Sequence, residues 1–213
     1  SLHVISSMVM LMLVTAVAHE AYQMAFRDEL TGLPGRRALN ERLLRLGRQY
    51  VIAMTDVDHF KRFNDTHGHD VGDQVLRVVA SQLRKVGGGG KAYRFGGEEF
   101  VVVFPGKTLD ACLPHLEELR SCIEMYVLKL RDQKQRPKDD QVGRQSRRRQ
   151  GAGSVSVTIS IGVAERQLTQ RTTEEVMSAA DKALYSAKSA GRNCVRVDGG
   201  SRSGAVRVSR SAS

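Results

Sequence analysis

The stretch "YRFGGEEFVVVF", Tyr93 to Phe104, sets two glycines (Gly96, Gly97) and two adjacent glutamates (Glu98, Glu99) between apolar runs of aromatic and β-branched residues. Glycines at a hairpin tip supply positive φ without a Cβ penalty and let backbone approach a ligand closely. Taken alone, such a tip is a good turn carrying exposed acids. A second acidic pair, Asp56 and Asp58, ends the apolar run "YVIAMTDVD", Tyr50 to Asp58. Carboxylates gathered at one point repel unless a cation joins them, and hard oxygen donors with phosphate nearby suit Mg²⁺ or Mn²⁺. The chemistry this would permit is nucleotidyl transfer, with divalent ions bridging a triphosphate and an attacking hydroxyl.

Whether the two acidic pairs meet depends on the elements that carry them. A turn signal at Gly32, Pro34 and Gly35 precedes a helix with apolar spacing at Leu39, Leu43, Leu44 and Leu46. The β-branched run from Tyr50 to Asp58 predicts a buried strand, and the spacing of Val75, Leu76, Val79 and Leu83 predicts a helix over Val71 to Val86. "GGGG" (Gly87 to Gly90) ends that helix. Strands "KAYRF" and "EFVVVFP" flank the glycine turn, and a long helix runs through "TLDACLPHLEELRSCIEMYVLKLRD" despite Pro114. Residues Gln133 to Gly153 are polar, basic and without periodicity, and read as a flexible insertion. "SVSVTISIGVAE" alternates as a strand, "TEEVMSAADKALYSAKSAG" reads as a helix capped at Thr173, and "NCVRV" as a short strand. From Gly199 the tail is rich in Gly, Ser and Arg and reads as disordered.

The resulting order, β-α-β-β-α-β followed by one more helix and strand, is the α+β ferredoxin-like pattern with a central antiparallel sheet flanked by helices. In its sheet order the first and third strands are antiparallel neighbours. Asp56 and Asp58 are thereby expected beside Glu98 and Glu99, some forty residues further along the chain.

The chain has 213 residues, 41% hydrophobic and 26% charged, an ordinary folded composition that excludes a disordered chain. The net charge of +10 points to anionic ligands, and much of it sits in "GRQSRRRQ" and the tail. Aromatic content is 5% with no Trp, and no basic stripe alternates with stacking aromatics; no nucleic-acid partner is expected. Three cysteines (Cys112, Cys122, Cys194) without a C-x-x-C read as reduced and structural, which suits a cytoplasmic catalytic domain. The chain opens on Ser1, as a fragment of a longer protein would. "SSMVMLMLVTAVA" (Ser6 to Ala18) is apolar on every face, short of the roughly 20 residues that span a bilayer, and lacks the basic start of a signal peptide. It reads first as a stalk or a helix cut from an upstream domain, and second as the end of a membrane helix of a membrane-associated full-length protein.

"RFGGEEF" resembles the signature of the GGDEF family of bacterial diguanylate cyclases, and further blocks similar to the family's follow its order. They are "DELTGLPGRRAL", "DVDHFKRFNDTHGHDVGDQVL", "VTISIGVA" and "ADKALYSAKSAGRN". The resemblance spans about Arg27 to Val197, giving a cyclase domain over 27–198, an N-terminal helix over 1–26, the insertion at 133–153 and a tail at 199–213. It implies the palm-like fold of nucleotide cyclases and polymerases, and condensation of two GTP into cyclic di-GMP and two pyrophosphates at a homodimer interface. It also implies an upstream sensory or membrane domain outside this fragment.

By the same resemblance Asp56, the Val57 carbonyl, Glu98 and Glu99 bind metal, with two Mg²⁺ or Mn²⁺ ions per site. Glu98, Glu99 and Lys61 form the catalytic set, with Glu99 the general base or second-metal ligand for the 3′-hydroxyl. Asn64 and Asp73 read guanine. The main-chain N–H groups of His59 and Phe60, with Lys61, cradle phosphate, and Lys188 and Arg192 contact the γ-phosphate. An ionised Asp that accepts from N1–H and the exocyclic amine rejects adenine, which lacks that pair of donors. Apart from their block, Lys188 and Arg192 would be a solvated helix end, and His67 and His69 in "THGHD" read as loop structure, not a zinc pair. Asp58 is open to a structural hydrogen bond in place of a metal. Asp28 is expected to pair with Arg36 or Arg37, and "RQSRRRQ" to be a solvated loop.

Two positions depart from the family pattern. The Arg and Asp of its inhibitory R-x-x-D would fall at Gly87 and Gly90, so no product inhibition through that primary site is expected, and Gly35 stands where an asparagine is common. Two other readings stay beside the cyclase: a degenerate module that binds GTP or cyclic di-GMP without turnover, and a related cyclase using ATP or making a mixed dinucleotide. Degenerate members lose the signature acids or the strand-end aspartate, and this chain keeps them all.

Overall fold

The computed structural model describes residues 2–129, 154–167 and 172–199. Its centre is β1 (Tyr50–Val57), every residue of which is buried. A strand apolar on both sides of the pleat belongs in the middle of a sheet covered on both faces, and β1 has neighbours on each edge. It pairs antiparallel with β3 (Glu99–Pro105) and with β6 (Ile159–Glu165); β2 (Lys91–Gly96) continues beyond β3, and β7 (Val195–Val197) lies parallel to β6. The order β2-β3-β1-β6-β7 is the expected ferredoxin-like sheet plus one edge strand.

Alternation along the strands divides the core in two. Val51, Ala53, Phe100, Val102 and Phe104 pack with α4 (His69–Leu83) and α5 (Leu109–Glu124) through Leu76, Val79, Leu83, Leu116 and Ile123. Ile52, Met54, Val101 and Val103 face the other way, against Leu39 of α2 (Arg36–Leu44) and Val176, Ala180 and Leu184 of α6 (Thr173–Ser189). On that second face helix backbone sits directly on strand backbone. A Cβ built on Gly162 of β6 would lie 2.0 Å from the Leu184 nitrogen and 2.3 Å from the Ala180 carbonyl oxygen.

Several boundaries differ from the sequence expectations. The helix expected from Val71 starts at His69, and a separate helix, α3 (Phe60–His67), precedes it; Gly68, at φ +85°, makes the break. The helix after Thr108 ends at Glu124, and Leu128–Lys129 (β4) pairs with Ser154–Val155 (β5) in a small ribbon. The expected strand from Ser154 to Glu165 is therefore two strands, with the break at Ser156 to Thr158. Thr172, not Thr173, caps α6: its hydroxyl accepts from the Glu175 N–H while the Glu175 carboxylate accepts from the Thr172 N–H. The last strand begins at Val195, two residues later than expected. The expected insertion (133–153) and the tail beyond Gly199 lie outside the described residues.

Helix α1 (Leu2–Phe26) exposes Val4, Ile5, Met8, Leu11, Leu13 and Val17, in keeping with its apolar pattern on every face. Among the described residues no helix is long and apolar enough to cross a membrane. Replacing Gly162 with alanine should cost about 3 kcal/mol, because backbone atoms of α6 cannot yield as a side chain would. Urea denaturation checks this, and a loss below about 1 kcal/mol would mean that α6 does not rest on β6 as described.

Candidate active site

The β1–β3 register sets Asp56 directly opposite Glu99. Hydrogen bonding from the Val57 N–H to the Glu98 carbonyl, at 3.3 Å, draws the hairpin turn against the same strand end. The turn itself is shifted by one residue from the Gly96-Gly97 turn read from sequence. Phe95 is an extra residue in β2, a bulge between the Arg94–Phe100 and Gly96–Glu99 pairs, so Gly96 is the last strand residue. Gly97 and Glu98 form the tip, and of the two glycines only Gly97 has a positive φ, +47°. Glu98 thus stands on the turn and Glu99 on the strand.

Arg94 fixes this tip from behind. Its Nε and Nη2 both donate to the Gly97 carbonyl, at 3.2 and 2.8 Å, and its Nη1 donates to Asp28 Oδ1 at 2.7 Å. The pairing expected between Asp28 and Arg36 or Arg37 is replaced by this one, because Asp28 is turned by hydrogen bonds from the Thr31 N–H and hydroxyl toward β2. Arg36 instead lies over the Phe95 ring, 4.5 Å from its centroid. Burial alone would raise the Asp28 carboxyl, but the Thr31 and Arg94 hydrogen bonds with the Arg94 charge hold it below the usual carboxylate value.

Asp56 is only 6% exposed, and Lys188 Nζ lies 2.8 Å from its Oδ2. Burial pushes its carboxyl above the ordinary range, Lys188 pulls it back, and neighbouring Asp58 pushes it further up. Glu98 is raised too, first by burial and then by the Asp56 charge. Among the described residues no three His, Cys, Asp or Glu side chains stand close enough to share an ion. The donor set still fits a hard divalent cation: two partly desolvated carboxylates repel each other, and a single ammonium offsets them. Asp58, by contrast, is fully used in the fold. It accepts from the Thr158 hydroxyl at 2.7 Å, the Ser160 hydroxyl at 2.6 Å and the Asn193 N–H at 3.0 Å.

The remaining predicted residues lie on the helices that leave β1 and enter β7. His59 takes the left-handed conformation (φ +57°) and turns the chain into α3, whose buried Phe60 and exposed Lys61 form its first turn. The leading N–H groups of a helix have no intrahelical acceptor. Asn64 rests on α4 where it has no side chain: a Cβ on Gly72 would lie 1.8 Å from Asn64 Oδ1. Among the described residues that buried oxygen has no hydrogen-bond partner, and half-buried Asp73 follows Gly72. The His67 ring lies 4.7 Å from that of Phe63, tilted by 45° to it. Arg192 lies beyond the end of α6 at φ +65°, and its charge lowers the Asp56 carboxyl. Sequence reading missed Arg94, Thr158, Ser160, Arg120 and Asn193 as parts of the hydrogen-bond network around Gly97 and Asp58; of these only Arg120 lay outside the quoted family blocks, since Thr158 and Ser160 stand in "VTISIGVA".

The family model described as "Diguanylate cyclase, GGDEF domain" matches residues 25–143 and 139–194. The chain belongs to the GGDEF family. Among curated relatives, the diguanylate cyclase DgcP of Pseudomonas aeruginosa is 38% identical over 183 residues, covering 82% of this chain and 24% of that protein. The diguanylate cyclase VdcA of Vibrio cholerae is 37% identical over 175 residues, covering 80% of this chain and 46% of that protein. The chain thus spans less than half the length of these relatives. The coiled coil and GGDEF domain of DgcB from Caulobacter crescentus, solved in complex with c-di-GMP, matches with a TM-score of 0.77 at 32% identity, over 92% of this chain and 97% of that one.

Because the Asp56 and Glu98 carboxyls lie above their usual range, the folded GGDEF domain holds those protons more tightly than the unfolded chain does. Their stabilising contribution is present below the unfolded carboxylate range and lost as pH rises through the raised folded values. Asp56→Asn should therefore raise the melting temperature of the metal-free protein at pH 7 and flatten its decline with rising pH. A lower melting temperature would show that the Lys188 pair outweighs burial.

Proposed function

We propose that residues 27–198 form the catalytic domain of a diguanylate cyclase, which joins two GTP into cyclic di-GMP and releases two pyrophosphates. The observation that supports this most directly is the set of acids at one corner: buried Asp56 opposite Glu99, with Glu98 on the adjoining turn. In this reading Asp56, the Val57 carbonyl, Glu98 and Glu99 hold two divalent cations, Mg²⁺ or Mn²⁺. Bound there, such ions would offset triphosphate charge and lower the pKa of the attacking 3′-hydroxyl. In this reading Glu99 takes that hydroxyl's proton or binds the second cation, and most of the activation comes from the cation's lowering of the hydroxyl pKa.

Guanine enters between α3 and α4. The unpartnered Asn64 Oδ1 offers an acceptor there, and Asp73 accepts from the N1–H and exocyclic amine that adenine lacks as a pair. Lys61 and the N–H groups of His59 and Phe60 hold phosphate, and Lys188 and Arg192 face the γ-phosphate. Two copies present half-sites to each other, one GTP in each, and α1 serves as the pairing stalk and the link to an upstream sensory domain.

With GTP and Mg²⁺ the protein should yield a product with the mass of cyclic di-GMP, at a rate that rises faster than linearly with protein concentration. Glu98→Gln should cut the rate about a thousandfold, the few kcal/mol that such charge stabilisation supplies. GTP binding without any product, from a verified dimer, would make the chain a binding module instead.

Product inhibition through the primary site is absent in this reading. The ring of His115 fills the place where a side chain at position 87 would begin, since a Cβ on Gly87 would lie 2.6 Å from His115 Nδ1. Likewise a Cβ on Gly90 would lie 2.7 Å from the Phe104 ring. Added cyclic di-GMP should leave the initial rate unchanged; inhibition relieved by a substitution within Gly87 to Gly90 would overturn this.

A further inference from the structure

The turn that carries Arg192 into β7 is held in an unusual backbone by groups far from it in sequence. Gly191, Arg192 and Asn193 have successive φ values of +107°, +65° and +46°. Two consecutive non-glycine residues in the left-handed region persist only where surrounding contacts over-determine them. Here the contacts belong to Asn193. Its Oδ1 accepts from Arg120 Nη1 at 2.7 Å, its Nδ2 donates to Glu124 Oε1 at 2.7 Å, and its N–H donates to Asp58 Oδ2 at 3.0 Å.

Arg120 is itself clamped on α5. Its Nε donates to Glu117 Oε1 at 2.8 Å, its Nη1 donates to Glu124 Oε2 at 2.7 Å, and its side chain is 13% exposed. A planar guanidinium engaged by two carboxylates and an amide oxygen has one orientation, so α5 presents a rigid seat to the Asn193 amide. Asp58 grips the other side of the same residue while anchored by Thr158 and Ser160, two positions beyond Asp56. Among the described residues the Arg192 guanidinium makes no hydrogen bond or ion pair, which leaves its donors for a ligand.

We propose that Arg120 and Asn193 are positioning residues for GTP: the α5 seat locks the Gly191–Asn193 turn so that Arg192 stands at a fixed place relative to Asp56. This rests on the reading of Arg192 as a γ-phosphate contact. Neither Arg120 nor Asn193 touches substrate; each acts through the backbone that aims Arg192. The arrangement also explains why a strained turn follows α6 where a glycine alone could have ended the helix.

Binding of a non-hydrolysable GTP analogue, measured by calorimetry on the full chain, tests this together with KM for GTP. Two variants are used: Asn193→Gly, which accepts the same backbone angles but loses the side-chain ties, and Arg120→Lys, which keeps a charge beside Glu117 and Glu124 but not the fork. Each should weaken analogue binding and raise KM about tenfold, with kcat changed much less, as expected when a contact is misplaced and not removed. In an Arg192→Ala background the same changes should move affinity less than about twofold, because the residue they aim is gone. Equal tenfold losses in both backgrounds would reduce Arg120 and Asn193 to general stabilisers and overturn the proposal. So would wild-type affinity in folded Asn193→Gly while Arg192→Ala binds weakly, and that result leaves the phosphate reading standing. Full affinity in Arg192→Ala alone would remove both the phosphate reading and the positioning role built on it.

Discussion

The pairing of β1 with β3 is the constraint on which the rest of the site depends. Its register runs without a break from Tyr50–Pro105 to Asp56–Glu99 and brings together acids more than forty residues apart. Hydrophobic alternation enforces it: a slip by one residue would exchange the Val51 and Ala53 face with the Ile52 and Met54 face and bury each set against the wrong helices. The irregularity needed to turn the hairpin is placed on the other strand. Phe95 bulges from β2 and leaves β3 undisturbed, so Glu99 keeps its position opposite Asp56 while Glu98 gains the freedom of the turn. One strand pair therefore separates the two glutamates into different environments.

Holding acids at a strand end of a covered sheet works against stability. Asp56 lies where water is largely excluded and an acidic neighbour stands two residues away, so its ionised form is disfavoured even with Lys188 beside it. Asp58 meets the same surroundings with a different solution, three hydrogen bonds and, among the described residues, no ion pair. That contrast gives the two aspartates their distinct characters. An acid saturated by hydroxyls and an N–H has little capacity left for a ligand, whereas one held by a single ammonium can exchange it.

Much of this was legible in the sequence. The ferredoxin-like order followed from periodicity, and the meeting of Asp56 with Glu99 followed from that order. What was not legible has physical reasons. Helix α3 is eight residues long and mostly polar, too short for a 3.6-residue pattern to register, and its junction with α4 depends on Gly68 alone. The bulge at Phe95 shifts the turn by one residue without leaving a mark on composition. The partner of Asp28 was misassigned because charge in sequence suggests nearby arginines, while the sheet delivers Arg94 from 66 residues away. Asn193 could be read only as part of a motif, since its partners Arg120, Glu124 and Asp58 belong to elements that meet only in the folded chain.

Arg94 links the signature turn to the foot of α1 in three steps. Its side chain bonds both the Gly97 carbonyl and Asp28, its N–H donates to the Pro34 carbonyl at 2.9 Å, and the segment between is closed by the Gly35 N–H to Phe26 carbonyl bond at 2.8 Å. Phe26 is the last residue of α1. Most of α1 is exposed and touches little of the domain, so its lower end is the place where it is tied to the sheet. The tie is short and made of charge-assisted or backbone hydrogen bonds, which tolerate little stretching. Through Arg94 these bonds join the foot of α1 to the turn holding Gly97 and Glu98.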